Sequence, residues 1–189
     1  MKKYYAQAFF AVAILVGAAF IACDDEDHTS AATTFEKMEM DFSYEVSPDL
    51  LEVADITFTY TNPAGETTSV EEPLAVTTWS QRFTTTTFPA SFSVTVNVAM
   101  KSGLMLDKEQ YVLTRTWSDE FKEYRSDGKV HWYDGPDSDS ETLTVTRNPS
   151  DPEALAAEIQ TALNLMNRTF RYAVTPDPDG SGYEVTDND

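Results

Sequence analysis

The chain is poor in the groups on which many enzymes and small secreted domains depend. It holds one cysteine in 189 residues, Cys23, so no disulfide can close within it and zinc sites of the CxxC kind are excluded. Histidine is almost as scarce. His28 and His131 are the only two, and there is no G-x-S-x-G turn, which leaves a histidine-driven hydrolase little to build on. Basic residues number 13 against 32 acidic ones, a net charge of −19; such a field repels phosphate backbones and sets nucleic-acid binding aside. Strand–helix–strand alternation is missing as well, which argues against a doubly wound α/β fold. Apolar side chains are not scarce: at 41% they are enough for a chain of this length to bury a core without disulfides.

The first uncharged run explains the lone thiol. "MKKYYAQAFFAVAILVGAAFIAC" begins with Lys2 and Lys3 and continues from Ala6 to Ala22 with Gln7 as its single polar residue. A basic start, an apolar middle and small residues before a cleavage point are the layout of a secretory signal peptide. A membrane-spanning helix is the competing reading, but 17 residues lie at the lower limit for crossing a bilayer. Phe20-Ile21-Ala22-Cys23 resembles the lipobox of bacterial lipoproteins, with phenylalanine where leucine is usual. The acids Asp24, Asp25, Glu26 and Asp27 that follow resemble the export signal of Bacteroidetes-type surface lipoproteins. By that resemblance Cys23 is acylated after cleavage behind Ala22, and the acids direct the protein to the outer face of the outer membrane. Several acyl chains hold a protein on a bilayer far more firmly than one. The plainer reading of "DDED", a solvated tether, is compatible with this. Residues 23–35 are expected to form a polar spacer that includes His28.

Beyond the spacer, alternation with a period of two dominates, the mark of strands with one buried face. In "KMEMDFSYEV" Met38, Met40, Phe42, Tyr44 and Val46 share a face, and Pro48 ends the run. "VADITFTYTNPAGETTSVEE" reads as a hairpin turning at 62–65, with Ile56, Phe58 and Tyr60 inward and a return through Val70. "PLAVTTWSQRFTT" and "ASFSVTVNVAM" are two more strands. After them come "EQYVLTRTWS", a short segment around Phe121 and Tyr124, a turn at 126–128, the strand "KVHWYD", an acidic loop "GPDSDS" and the strand "ETLTVTR". One helix is expected over 151–168. Ser150 and Glu153 have capping-box spacing, Asp151 and Pro152 suit a first turn, and Leu155, Ile159, Ala162, Leu163 and Met166 form one apolar stripe. "TFRYAVT" closes the domain, and 176–189 reads as a polar acidic tail.

This pattern predicts a mainly β protein: leader 1–22, tether 23–35, and one domain over 36–175 built as an antiparallel β-sandwich of immunoglobulin-like type. A lipocalin-like barrel, which also accommodates one late helix, is the alternative. Residues 49–79 resemble Bacteroidetes lipoproteins with immunoglobulin-like folds through a strand–turn–strand followed by a tryptophan. The likeness covers about a fifth of the chain and implies no activity.

Three clusters have residue types suited to binding. Asp177, Asp179 and Ser181 copy the first half of an EF-hand loop, but Glu184 and Asn188 break its second half. Asp134, Asp137, Asp139 and Glu141 put four carboxylates within one loop, oxygen ligands of the kind calcium takes; a solvated turn is the ordinary reading of such a stretch. His131, Trp132, Tyr133 and Asp134 combine aromatic rings with a carboxylate, which suits stacking on a sugar ring with hydroxyls held at the acid. The competing reading puts Trp132 in the core, with Trp79 and Trp117. The sequence thus points to a lipid-anchored, monomeric, non-catalytic domain with no required cofactor. It would serve binding or envelope assembly, with a glycan or an outer-membrane protein as the alternative partners.

Overall fold

The computed structural model describes residues 33–151 and 153–188. Its first strand, β1 (Phe35–Val46), follows the alternation, with Met38, Met40, Phe42, Tyr44 and Val46 all buried. Pro48 does not merely stop it. Ser47 caps a one-and-a-half-turn helix, α1 (Pro48–Val53), its Oγ accepting the Leu50 N–H at 3.2 Å, and proline suits the first helical position. The same hydroxyl donates to the Val112 carbonyl at 2.8 Å and accepts the Thr114 N–H at 3.0 Å. α1 buries Leu50 and Val53 and carries the chain from one sheet to the other.

The hairpin expected next is β2 (Ala54–Thr61) and β3 (Thr67–Val70), closed by Asn62, whose Oδ1 accepts the N–H groups of Ala64 and Glu66. β4 (Thr78–Thr85) and β5 (Ala90–Met100) follow, then β6 (Gln110–Arg125) and β7 (Val130–Thr146). Two antiparallel sheets result, with strand orders β4-β1-β6-β7 and β3-β2-β5-β8-β9, where β8 is Arg168–Pro176 and β9 is Tyr183–Asn188. Both sheets are open, so the fold is a sandwich and not the barrel alternative. Its wiring differs from the constant-type immunoglobulin order, in which the first two strands are neighbours; here β1 and β2 lie in different sheets.

Aromatic rings fill the space between the layers. Phe58 stacks on Trp79 at 4.1 Å and Phe92 on Tyr172 at 4.6 Å, while Phe42 and Trp117 both meet Phe170, at 5.1 and 5.3 Å. Trp117 is buried and Trp79 packs against the core, as expected.

Four expectations need correction. The two segments at 109–125 are one 16-residue strand, and "KVHWYD", "GPDSDS" and "ETLTVTR" are one 17-residue strand. The acidic loop is therefore not a loop: Asp137, Ser138, Asp139 and Ser140 pair with Asp119, Ser118, Trp117 and Thr116, and the only irregularity there is a bulge at Gly135 and Pro136. Gly135 adopts φ +95°, and a Cβ on it would lie 2.7 Å from the Asp119 carbonyl oxygen, so no larger residue fits. Polar residues on both faces hid the middle of this strand, because alternation is visible only where one face is apolar. The helix, α2, runs over Ala154–Leu165, shorter than expected, and the capping box is not formed. The Ser150 N–H donates to Asn148 Oδ1 instead, and Glu153 occupies the N-cap without a side-chain hydrogen bond; Pro152 lies outside the described residues. Its apolar stripe is buried as expected. The polar tail is not a free tail: residues 183–188 add β9 beside β8, with Val185 buried opposite Val174.

Candidate functional site

Cys23, the acids Asp24, Asp25, Glu26 and Asp27, and His28 lie outside the described residues. The remaining sequence-predicted site residues lie on β7 or in the turn before β9, and alternation divides them. His131 and Tyr133 face outward; Trp132 and Asp134 face the other sheet. His131 Nε2 is 3.0 Å from Asp127, a turn residue whose carboxyl is held below its ordinary range by the Lys129 N–H first and the imidazole second. Tyr133 is 44% exposed and donates its hydroxyl to Glu120 at 3.1 Å, with the Lys122 ammonium over its ring and ion-paired to the same carboxylate. Trp132 is half-buried, edge-on to Tyr183 at 5.0 Å, and closes over Gly182. The four residues therefore do not form one platform.

The two proposed calcium sets do not converge either. Among the described residues no group of three or more His, Cys, Asp or Glu side chains is placed to hold a metal ion. Asp134 and Glu141 are seven positions apart on an extended strand, roughly 20 Å. Glu141 is also occupied, its Oε2 accepting two bonds from Arg115 at 3.1 and 2.5 Å. Asp177, Asp179 and Ser181 form the β8–β9 turn and bond inward: the Ser181 N–H donates to Asp179 at 3.0 Å and its hydroxyl to Asp177 at 3.3 Å.

The fold instead assembles an acidic pocket that spacing did not reveal. Asp119 of β6, Asp134 and Asp137 of β7 and Asp187 of β9 line a cavity of about 30 Å³ together with Phe121, Tyr172 and Val185. That volume has room for about one or two waters. Tyr172 donates its hydroxyl to Asp119 Oδ2 at 3.0 Å. Burial pushes the Asp119 carboxyl up to about 7; the Tyr172 hydroxyl opposes this, and Asp137, Asp187 and Asp134 add repulsion. Burial raises Asp134 as well, with Asp137 second. The signal in the sequence was an interruption. Along β6 the inward positions read Tyr111, Leu113, Arg115, Trp117, Asp119, Phe121, Glu123, and three charges in an apolar row mark places where the core is polar.

Arg115 shows how such a charge is accommodated. It is 2% exposed, bonded to Glu141 and to the Met166 carbonyl at the end of α2, with its guanidinium 5.5 Å from the Trp117 ring. One side chain thus joins β6, β7 and α2.

The outer face of the four-stranded sheet carries a second feature. Ser80, Ser43, Ser118 and Ser138 occupy one row across β4, β1, β6 and β7, with Ser43 and Ser118 hydroxyls 2.8 Å apart. The next row holds Arg82, Asp41 and Glu120, the first two in a bidentate pair at 2.6 and 2.9 Å. Small serines beside long charged side chains leave an open groove of about 620 Å³. Its hydroxyls both donate and accept, so it suits a ligand rich in hydroxyl groups. No protein-family model matches the chain, and no curated protein matches it either.

Proposed function

We propose that the protein is a lipid-anchored binding module displayed on the outer face of the outer membrane and without a catalytic step of its own. One observation carries the display reading. β1 starts at Phe35, twelve residues beyond Cys23, and Phe35 pairs with Arg125 beside the β6–β7 turn. A lipid on Cys23 would be followed by a short acidic tether and then by a rigid sandwich entered at one tip. The long strands β6 and β7 then run away from that tip for about 50 Å and hold the opposite end clear of the bilayer. The test is incorporation of labelled palmitate, with Cys23→Ser as the control, followed by protease treatment of intact cells. Label on the native chain alone, with cleavage at the surface, is expected. Absence of label, or a Cys23→Ser chain that still fractionates with membranes, overturns the reading.

A second reading, a glycan-binding accessory lipoprotein of a polysaccharide-uptake system, is favoured by the serine-floored groove with Glu120 and Tyr133 near it. It expects tyrosine and tryptophan emission to shift on addition of a polysaccharide. A flat response across a broad glycan panel removes it.

A further inference from the structure

The distal end of β7 combines an unpaired strand edge with an apolar trough. Among the described residues β7 is the last strand of its sheet and bonds to β6 alone. Every second residue along it therefore turns its N–H and C=O toward open space. Over Gly135–Glu141 this edge is blunted by the bulge and by Asp137, Asp139 and Glu141, devices that discourage edge pairing. From Thr142 to Thr146 no such device occurs: the pairing is regular and the residues are threonine, leucine and valine. Beside this stretch lies α2, and between the two is an open groove of about 340 Å³ lined by Leu143, Val145, Ala162 and Leu165, with Glu158 and Thr161 on the helix side. Leu165, at the rim of the groove, is 63% exposed.

We propose that this groove takes an extended peptide from a partner protein, added as a further strand on β7, with alternate apolar side chains in the trough and basic residues flanking them. The backbone edge selects an extended segment, because only a strand satisfies its row of donors and acceptors. Charge selects the flanks. Asp139 lies three positions before the stretch and Glu158 stands on the facing wall, while Glu141 is engaged by Arg115 and Arg147, just beyond Thr146, by the Leu106 and Lys108 carbonyls; the residues lining the groove include no lysine or arginine. A second copy of the chain fits poorly, since each carries a net charge of −19 and the two repel one another. The protein's own leading segment fits no better. "DDED" has the same sign as the groove, and β1 begins at Phe35, opposite Arg125, while the groove adjoins Gln110↔Thr146 at the far end of β6. The proposal rests on the reading of the protein as a binding module and names the chemistry of its partner.

The test uses the full chain purified in a mild detergent. The probe is a fluorescein-labelled nonapeptide of alternating threonine and valine with a lysine at each end, followed by anisotropy. Saturable binding that weakens with salt is expected, together with slower amide exchange at Thr142–Thr146. Leu165→Asp, an exposed position whose change spares the core, is expected to weaken binding about tenfold. The same peptide N-methylated at alternate amides is expected not to bind. Absence of saturable binding, equal binding of the N-methylated peptide, unchanged affinity of the Leu165→Asp chain, or protection of β4 in place of β7 would each overturn the proposal. None of these readouts depends on acylation at Cys23, so failure here is distinguishable from failure of the anchoring experiment.

Discussion

Asp119 sits where a carboxylate is least welcome: between the sheets, with Asp134, Asp137 and Asp187 around one small cavity and Tyr172 as its hydrogen-bond donor. Its carboxyl is raised from an ordinary 3.8 to about 7, chiefly by burial. An acid that binds its proton more tightly in the folded state stabilises the fold fully only below its ordinary value, and that contribution is lost as the pH climbs through about 7. At about 1.4 kcal/mol per tenfold change in proton affinity, the whole span amounts to roughly 4 kcal/mol, of which about 2–3 kcal/mol falls between pH 5 and 8. Asp134, also raised, acts in the same direction. Asp49, Asp127 and Asp179 are lowered, so their contributions are lost only as pH falls below the ordinary carboxylate range, outside this window. Asp119→Asn keeps the shape and an oxygen for Tyr172 but has no charge to bury. The native protein should lose on the order of 5–10 °C of melting temperature between pH 5 and 8, and the variant distinctly less. At pH 8 the variant should be the more stable of the two. Thermal melts followed by circular dichroism across pH 5 to 8 make the measurement. A native protein as stable at pH 8 as at pH 5, or an Asp119→Asn chain with the same profile as the native one, would refute the account.

Two further substitutions test the core. Gly135→Ala places a methyl group 2.7 Å from the Asp119 carbonyl at a backbone angle that L-residues rarely adopt, so urea unfolding should show a loss of about 2–4 kcal/mol; an unchanged midpoint would mean that the bulge can relax. Tyr44 has the one buried side-chain polar atom without a hydrogen-bond partner among the described residues, although Arg115 lies near enough to oppose the upward push of burial on its hydroxyl. Tyr44→Phe is therefore expected to leave stability unchanged or raise it by up to about 1 kcal/mol, and a clear loss would reveal a partner for that hydroxyl.

What the sequence determined by itself lies mostly where one face of a strand is apolar. Met38 through Val46, Ile56 to Tyr60 and the row from Phe92 to Val98 were legible residue by residue, because burial on one side imposes a period of two. The stripe of α2 was legible for the same reason at the helical period, whereas its first turn was not: Asn148 competes for the Ser150 N–H and leaves the capping box unmade. The middle of β7 was hidden because Gly135–Ser140 is polar on both faces, and β9 because Tyr183 and Val185 are too short an apolar row; their pairing is fixed by β6 and β8 rather than by a pattern of their own. Of the acidic pocket the sequence held only the interruption of the apolar row of β6 at Asp119, and its other members came from the tertiary structure. Asp119 and Asp137 meet across the β6–β7 ladder, and Asp187 joins them only when the second sheet closes over the first, which also turns an ordinary surface carboxyl into a buried one. Likewise Glu141 became the partner of Arg115 and not a metal ligand. In an extended strand neighbouring acids spread out along its length, and the residue across the ladder, not the next one in sequence, decides their company.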